Sequence, residues 1–176
     1  MLKNHNREKI LRLFFDDPLS GYLLREISKK INLGPVSVKN YLKELQNAGL
    51  VKIKKHKALG YPVYYSNRDS DDFISSKKQD NLNRLYESGL VSYLEDKCAP
   101  FCLTVFGSYS KGQDVLGSDV DLFLLGRKKN LNLLKFEKKL NRKINILFTE
   151  HFNKLSKELK NNLINGSLLK GYLKVF

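Results

Sequence analysis

The stretch FGSYSKGQDVLGSDVDLFLL, residues 106–125, decides the fold of the C-terminal half of this 176-residue chain. It overlaps an apolar, partly β-branched run over residues 101–106 and ends in a second apolar run over residues 122–125. Short runs of this composition are typical of buried strands. The two runs are separated by Gly107-Ser108, then ten residues, then Asp119-Val120-Asp121. A tight turn and a carboxylate pair therefore lie between two predicted strands.

These residue types predict a metal-assisted nucleotidyl-transfer site. Alternate residues of a strand face the same side, so Asp119 and Asp121 present two carboxylates together. Such a pair repels unless a cation lies between them, and Mg²⁺ with phosphate oxygens is the natural occupant. The small residues Gly107 and Ser108 let backbone N–H groups approach a triphosphate, and Lys111 can add charge. Asp119 and Asp121 are thus both the metal ligands and the catalytic candidates; the alternative is a surface Asp-x-Asp at a strand end.

The string in residues 106–125 resembles the signature of the polymerase-beta-like nucleotidyltransferase superfamily, and most closely that of its minimal nucleotidyltransferases. The resemblance covers about residues 85–150. It implies a small mixed sheet flanked by helices, a nucleoside triphosphate (ATP is the expected one) and two Mg²⁺ ions. The implied reaction is transfer of a nucleoside monophosphate to a hydroxyl group.

One position departs from that family. Its members usually carry a third carboxylate on a later strand, where it holds the metal ion that activates the acceptor hydroxyl. In the predicted strand over residues 143–148, alternation puts Asn145 there. An amide is neutral and cannot act as a base, although Glu150 just beyond the strand could act from a different position. We therefore predict nucleotide and metal binding, and two alternatives stay open, a slow enzyme and a nucleotide sensor.

The N-terminal part of the chain has the pattern helix, helix, helix, hairpin. The spacing of apolar residues, together with Pro35 and Gly49 as start and stop signals, supports this order. We predict three helices and then two strands: helices over residues 6–15, 23–31 and 35–47, and strands over residues 50–54 and 61–66.

This order resembles a winged helix-turn-helix DNA-binding domain over about residues 5–67. In such a domain the third helix buries one face and presents the other to the major groove. Seven residues are expected to contact duplex DNA, four on the outer face of that helix and three on the wing: Ser37, Lys39, Asn40 and Lys43, then Lys54, Lys55 and Lys57. The alternative is that the same scaffold serves as a dimerisation or protein-binding module.

The charge of the chain points to a polyanionic partner. Lys and Arg number 32 against 18 Asp and Glu, a net charge of +14. Residues 1–76 hold 14 basic and 8 acidic residues (+6), and residues 77–176 hold 18 and 10 (+8), so both halves are basic. Nucleic acid is the first candidate partner. The chain has no apolar run near 20 residues, no signal-peptide pattern and only two cysteines, which predicts a cytoplasmic protein with no membrane partner.

Together these patterns predict an α/β (α+β) protein with a winged helix-turn-helix domain over residues 1–67, a linker or helix over 68–84 and a nucleotidyltransferase-like domain over 85–176. The predicted function is a DNA-binding, transcriptional-regulator-like protein whose second domain binds a nucleoside triphosphate with Mg²⁺. Two alternatives are an antitoxin-type adenylyltransferase with a toxin-like protein partner and a catalytically degenerate nucleotide sensor. Further helices are predicted over residues 133–140 and 152–163. The apolar segment 168–173 should pack on the core or on a second subunit, so a homodimer stays open.

Overall fold

The chain folds into eight α-helices and seven strands within the residues that the structure describes. The computed structural model of the protein describes residues 2–56 and 60–174, and the side chains from residue 5 onward. The chain divides into two compact units, Met1–Ser76 and Lys77–Phe176. Among the described residues, no helix combines the length and the apolar composition needed to cross a bilayer.

The first unit packs three helices on a small antiparallel sheet with strand order β1-β3-β2. Its elements, in chain order, are α1 (Leu2–Asp16), β1 (Gly21–Leu23), α2 (Leu24–Ile31), α3 (Pro35–Asn47), β2 (Val51–Lys55) and β3 (Pro62–Ser66). The fully buried side chains of its core come from all three helices: Ile10, Phe14, Ile27, Val38, Leu42 and Leu45. Burial of these six side chains supplies the main driving force for folding of this unit.

Two predicted helix boundaries in the first unit are wrong. The first helix begins at Leu2 rather than near residue 6. The second begins only at Leu24, because Leu23 belongs to β1, where it pairs with Val63. Leu23 ends the strand with its N–H donated to the Glu26 carboxylate (2.7 Å), so the chain turns into the helix one residue later. The third helix, from Pro35 to Asn47, is confirmed, and Gly49 follows it in the left-handed conformation (φ +70°).

The second unit builds a four-stranded mixed sheet with strand order β6-β5-β4-β7. β5 and β6 are parallel, and the other neighbours are antiparallel. Its elements are α4 (Asp71–Ser88, which begins in the first unit), α5 (Leu90–Cys98), β4 (Cys102–Phe106), α6 (Gly107–Lys111), β5 (Val120–Leu125), α7 (Leu134–Leu140), β6 (Ile144–Thr149), a 3₁₀ turn (Phe152–Lys154), α8 (Lys157–Ile164) and β7 (Ser167–Gly171). The mixed α/β architecture agrees with the predicted fold class.

Two details of the second unit differ from the predictions. The helix expected over residues 152–163 is interrupted, because Ser156 is extended and its Oγ accepts the N–H of Leu159 (3.2 Å), which starts α8 anew. The first predicted strand begins at Cys102, and the Phe101 side chain is 72% exposed. The C-terminal apolar segment forms β7, whose Leu169 is buried in the core.

A buried polar cluster fixes the loop between α6 and β5. Asp114 in this loop forms ion pairs with Lys77 Nζ (3.2 Å) and Arg142 Nη2 (3.5 Å), and none of the three side chains is more than 4% exposed. Asn81 donates to Asp114 Oδ1 (2.7 Å) and to the Tyr109 carbonyl (2.9 Å). The cluster joins α4, this loop and the turn between α7 and β6. It therefore holds in place the chain segment that leads into Asp119.

Candidate active site

The turn between β4 and α6 approaches the carboxylate on the neighbouring strand. β4 ends at Phe106, which pairs with Asp121 across the sheet. Gly107 follows with φ +73°, a conformation that residues with a Cβ rarely adopt. A Cβ at this position would lie only 2.9 Å from Asp121 Oδ2. The backbone conformation therefore favours glycine at position 107, and a Cβ there would also displace the Asp121 carboxylate.

Asp119 and Asp121 meet at this same end of the sheet, together with Asn145. Asp121 pairs in register with Asn145 of the parallel strand β6. The Asn145 amide Nδ2 donates to Asp119 Oδ2 (3.0 Å) and to Asp121 Oδ1 (3.1 Å). Asp119 and Asn145 are exposed and Asp121 is half-buried. Two carboxylates thus share one hydrogen-bond donor at a solvent-accessible end of the sheet, next to Gly107.

The other two residues predicted to bind the nucleotide lie on α6. Ser108 is exposed in its first turn and Lys111 is exposed in its last. The helix has only five residues, so few peptide dipoles align and its N-terminus is a weak source of positive potential. Any contribution of Lys111 therefore depends on the reach of its long, flexible side chain.

The structure rules out Glu150 as a substitute for the missing third carboxylate. Asn145 is the second residue of β6, whereas Glu150 follows the last one. At about 3.3 Å per residue, the two positions are roughly 16 Å apart. Glu150 instead faces Arg127 (3.7 Å). Among residues 2–56 and 60–174, no three His, Cys, Asp or Glu side chains come together as a metal site.

The predicted DNA-contacting residues of α3 lie on its open face. Val38 and Leu42 are fully buried, and the four predicted contact residues are all exposed: Ser37, Lys39, Asn40 and Lys43. Lys54 and Lys55, at the end of β2, are exposed as well, and Lys54 Nζ lies 5.8 Å from the centre of the Tyr65 ring. Lys57 lies outside the described residues.

Sequence reasoning missed the cluster around Asp114. Asp114 lies within the ten-residue spacer of the motif, but its partners Lys77 and Arg142 are 37 and 28 residues away in the chain. No local pattern signals such a contact. Tyr109, the third residue of α6, belongs to the same region, and burial raises the pKa of its phenol well above the usual range.

The comparison with protein families finds a match in the second unit. Residues 89–172 match the family model described as Polymerase beta, Nucleotidyltransferase. The match covers a little under half of the chain and contains β4, β5 and β6 with Gly107, Asp119, Asp121 and Asn145. It supports a nucleotidyltransferase domain in the second unit, and domains of this kind use a nucleoside triphosphate and a divalent metal. Comparisons with curated proteins and with solved structures gave no match.

Proposed function

We propose that this protein is a DNA-binding regulator whose second unit binds a nucleoside triphosphate, ATP by preference, together with Mg²⁺. One observation supports this most: Gly107, Asp119 and Asp121 converge at one end of the sheet. A side-chain-free backbone turn suits a close approach of phosphate, and the adjacent carboxylates suit the cation that accompanies it.

The residues present fit one divalent cation. Each aspartate uses one oxygen to accept the Asn145 amide, which leaves Asp119 Oδ1 and Asp121 Oδ2 to serve as ligands. Asp121 Oδ2 is the oxygen that lies against Gly107, on the side where a phosphate could approach the backbone. A bound Mg²⁺ would supply charge neutralisation for the triphosphate.

The reaction class follows from the family match. The oxygen of an acceptor hydroxyl forms a bond to the α-phosphorus, the bond from that phosphorus to the β-phosphate oxygen breaks, and pyrophosphate leaves. The hydroxyl proton must pass to a base. Asn145 cannot accept it, so transfer without a third carboxylate is expected to be slow.

The Asn145 amide favours a second candidate, a nucleotide sensor that binds without transfer. Incubation with α-³²P-labelled nucleoside triphosphates, Mg²⁺ and a cell lysate distinguishes the two. Covalent label on a macromolecule, the protein acceptor of an antitoxin-type enzyme included, identifies a transferase. Label that is retained on the folded protein but released on denaturation identifies the sensor. If none of the four nucleotides is retained or transferred, the proposed function of this unit is contradicted.

The DNA-binding part of the proposal depends on the exposed face of α3. Lys39, Asn40 and Lys43 lie opposite the buried apolar residues of this helix, and Lys54 and Lys55 extend the basic surface along β2. Arrangements of this kind contact phosphates with lysines and base edges with amides. The resemblance to a winged helix-turn-helix domain implies the same contacts and supports the proposal.

The double variant Lys39→Ala/Lys43→Ala should weaken binding to duplex DNA by about tenfold at 0.1 M salt and reduce the slope of log K against log salt by about two, because two phosphate contacts are lost. The measurement is fluorescence anisotropy with genomic fragments at several salt concentrations. Lys9→Ala/Lys78→Ala removes the same charge from the exposed surfaces of α1 and α4 and is the control. Equal losses in both double variants would indicate non-specific attraction and contradict the assignment to α3.

A further inference from the structure

The orientation of the Asn145 amide follows from its partners. Ionised carboxylates only accept hydrogen bonds, so the amide must present its nitrogen to them and not its oxygen. Nδ2 lies 3.0 Å from Asp119 Oδ2 and 3.1 Å from Asp121 Oδ1, and its two hydrogens serve one acceptor each. A neutral donor thus joins two like charges that would otherwise repel one another.

A carboxylate at position 145 would create a different site. Position 145 is in register with Asp121, so three carboxylates would converge where two now share an amide. Three negative charges at this separation repel strongly and require more positive charge than a single cation provides. A site with a carboxylate at position 145 is therefore suited to a second divalent ion. The neutral Asn145 amide does not attract such an ion.

We propose that the site takes one divalent cation rather than two, and that the Asn145 amide occupies the place of the second cation beside Asp119 and Asp121. The inference rests on the proposed nucleotide-binding function. The amide uses Asp119 Oδ2 and Asp121 Oδ1, so the ligand oxygens for the cation are the other two, one of which lies against Gly107. Glu150, at the far end of β6, is too distant to add a ligand.

Asn145 is therefore a positioning residue. It holds the two carboxylates in place before any cation arrives, and it limits the site to the cation that accompanies the triphosphate. The chemistry lost is that of the second ion of a two-metal site, which stabilises the attacking oxygen. A site of this kind is expected to bind a nucleotide and to transfer its monophosphate slowly.

Equilibrium dialysis of the full chain against Mn²⁺ and the α,β-methylene analogues of ATP and GTP tests the inference. The measured quantity is the ratio of bound Mn²⁺ to bound nucleotide. Each bound amount is the excess in the protein compartment over the protein-free compartment. We expect about one for the wild type and about two for Asn145→Asp, which restores a two-metal ligand set. Asn162→Asp, the same change at an exposed position of α8, is the control and should stay at the wild-type ratio.

The outcomes separate this inference from the proposed function. A ratio of two in the wild type, or a ratio that Asn145→Asp leaves unchanged, overturns the inference alone. Failure of wild-type protein to retain either nucleotide overturns the proposed function and the inference with it. The ratio measured for the wild type alone can contradict the inference. The test therefore remains decisive even if the Asn145→Asp variant does not fold. Circular dichroism of each variant checks the fold.

Discussion

Asp121→Asn is expected to lower the affinity for the Mn²⁺ complex of α,β-methylene ATP by at least about 100-fold, since loss of even an outer-shell partner of a metal ligand costs 10–100-fold. The substitution keeps the shape of the side chain but removes one of the two negative charges at the site. It also places an amide against Gly107, where Asp121 Oδ2 now lies. Calorimetric titration of the protein with nucleotide at a fixed Mn²⁺ concentration measures the effect.

Glu150→Gln is the matched control for this experiment. It makes the same carboxylate-to-amide change on an exposed residue beyond the other end of β6. Its nucleotide affinity should equal that of the wild type within a factor of about two, because charges this far apart in water interact weakly. If Asp121→Asn still binds nucleotide with wild-type affinity in the presence of Mn²⁺, the carboxylate pair is not the metal site.

Local sequence patterns predicted the parts of the fold that depend on neighbouring residues. The strand, turn and second strand of residues 102–125 follow from two apolar runs and a glycine that adopts positive φ. The strand predicted over residues 143–148 lies over 144–149, and the structure brings Asn145 beside the carboxylate pair. In each case the signal lies within a few residues of the feature that it predicts.

The parts that sequence could not predict depend on distant partners or on single hydrogen bonds. Leu23 fits the apolar spacing of α2, yet pairing with Val63 makes it a strand residue. The interruption before α8 depends on the Oγ of Ser156, an exposed residue inside an otherwise helical pattern. The amide bridge at Asn145 needs the register of β5 against β6, and only the folded sheet determines that register.

The buried cluster around Asp114 carries the largest stability prediction. Asp114 Oδ1 accepts from Asn81 (2.7 Å) and faces Lys77, while Oδ2 faces Arg142. Asparagine at this position would turn an NH₂ group toward at least one of these donors and remove the negative charge that faces two buried cations. Removal of one partner from a buried ion pair costs about 3–5 kcal/mol, so the free energy of unfolding of Asp114→Asn should fall by this amount.

Urea unfolding followed by circular dichroism measures this loss, and Glu95→Gln provides the comparison. Glu95 pairs with Lys170 at 2.7 Å, but both side chains are about half exposed, and exposed pairs contribute about 0–1 kcal/mol. The same chemical change should therefore have little effect at position 95 and a large one at position 114. Similar losses in both variants would mean that the buried cluster adds no stability beyond that of a surface ion pair. A selective loss at position 114 would show that the buried carboxylate of Asp114 stabilises the loop that leads into Asp119.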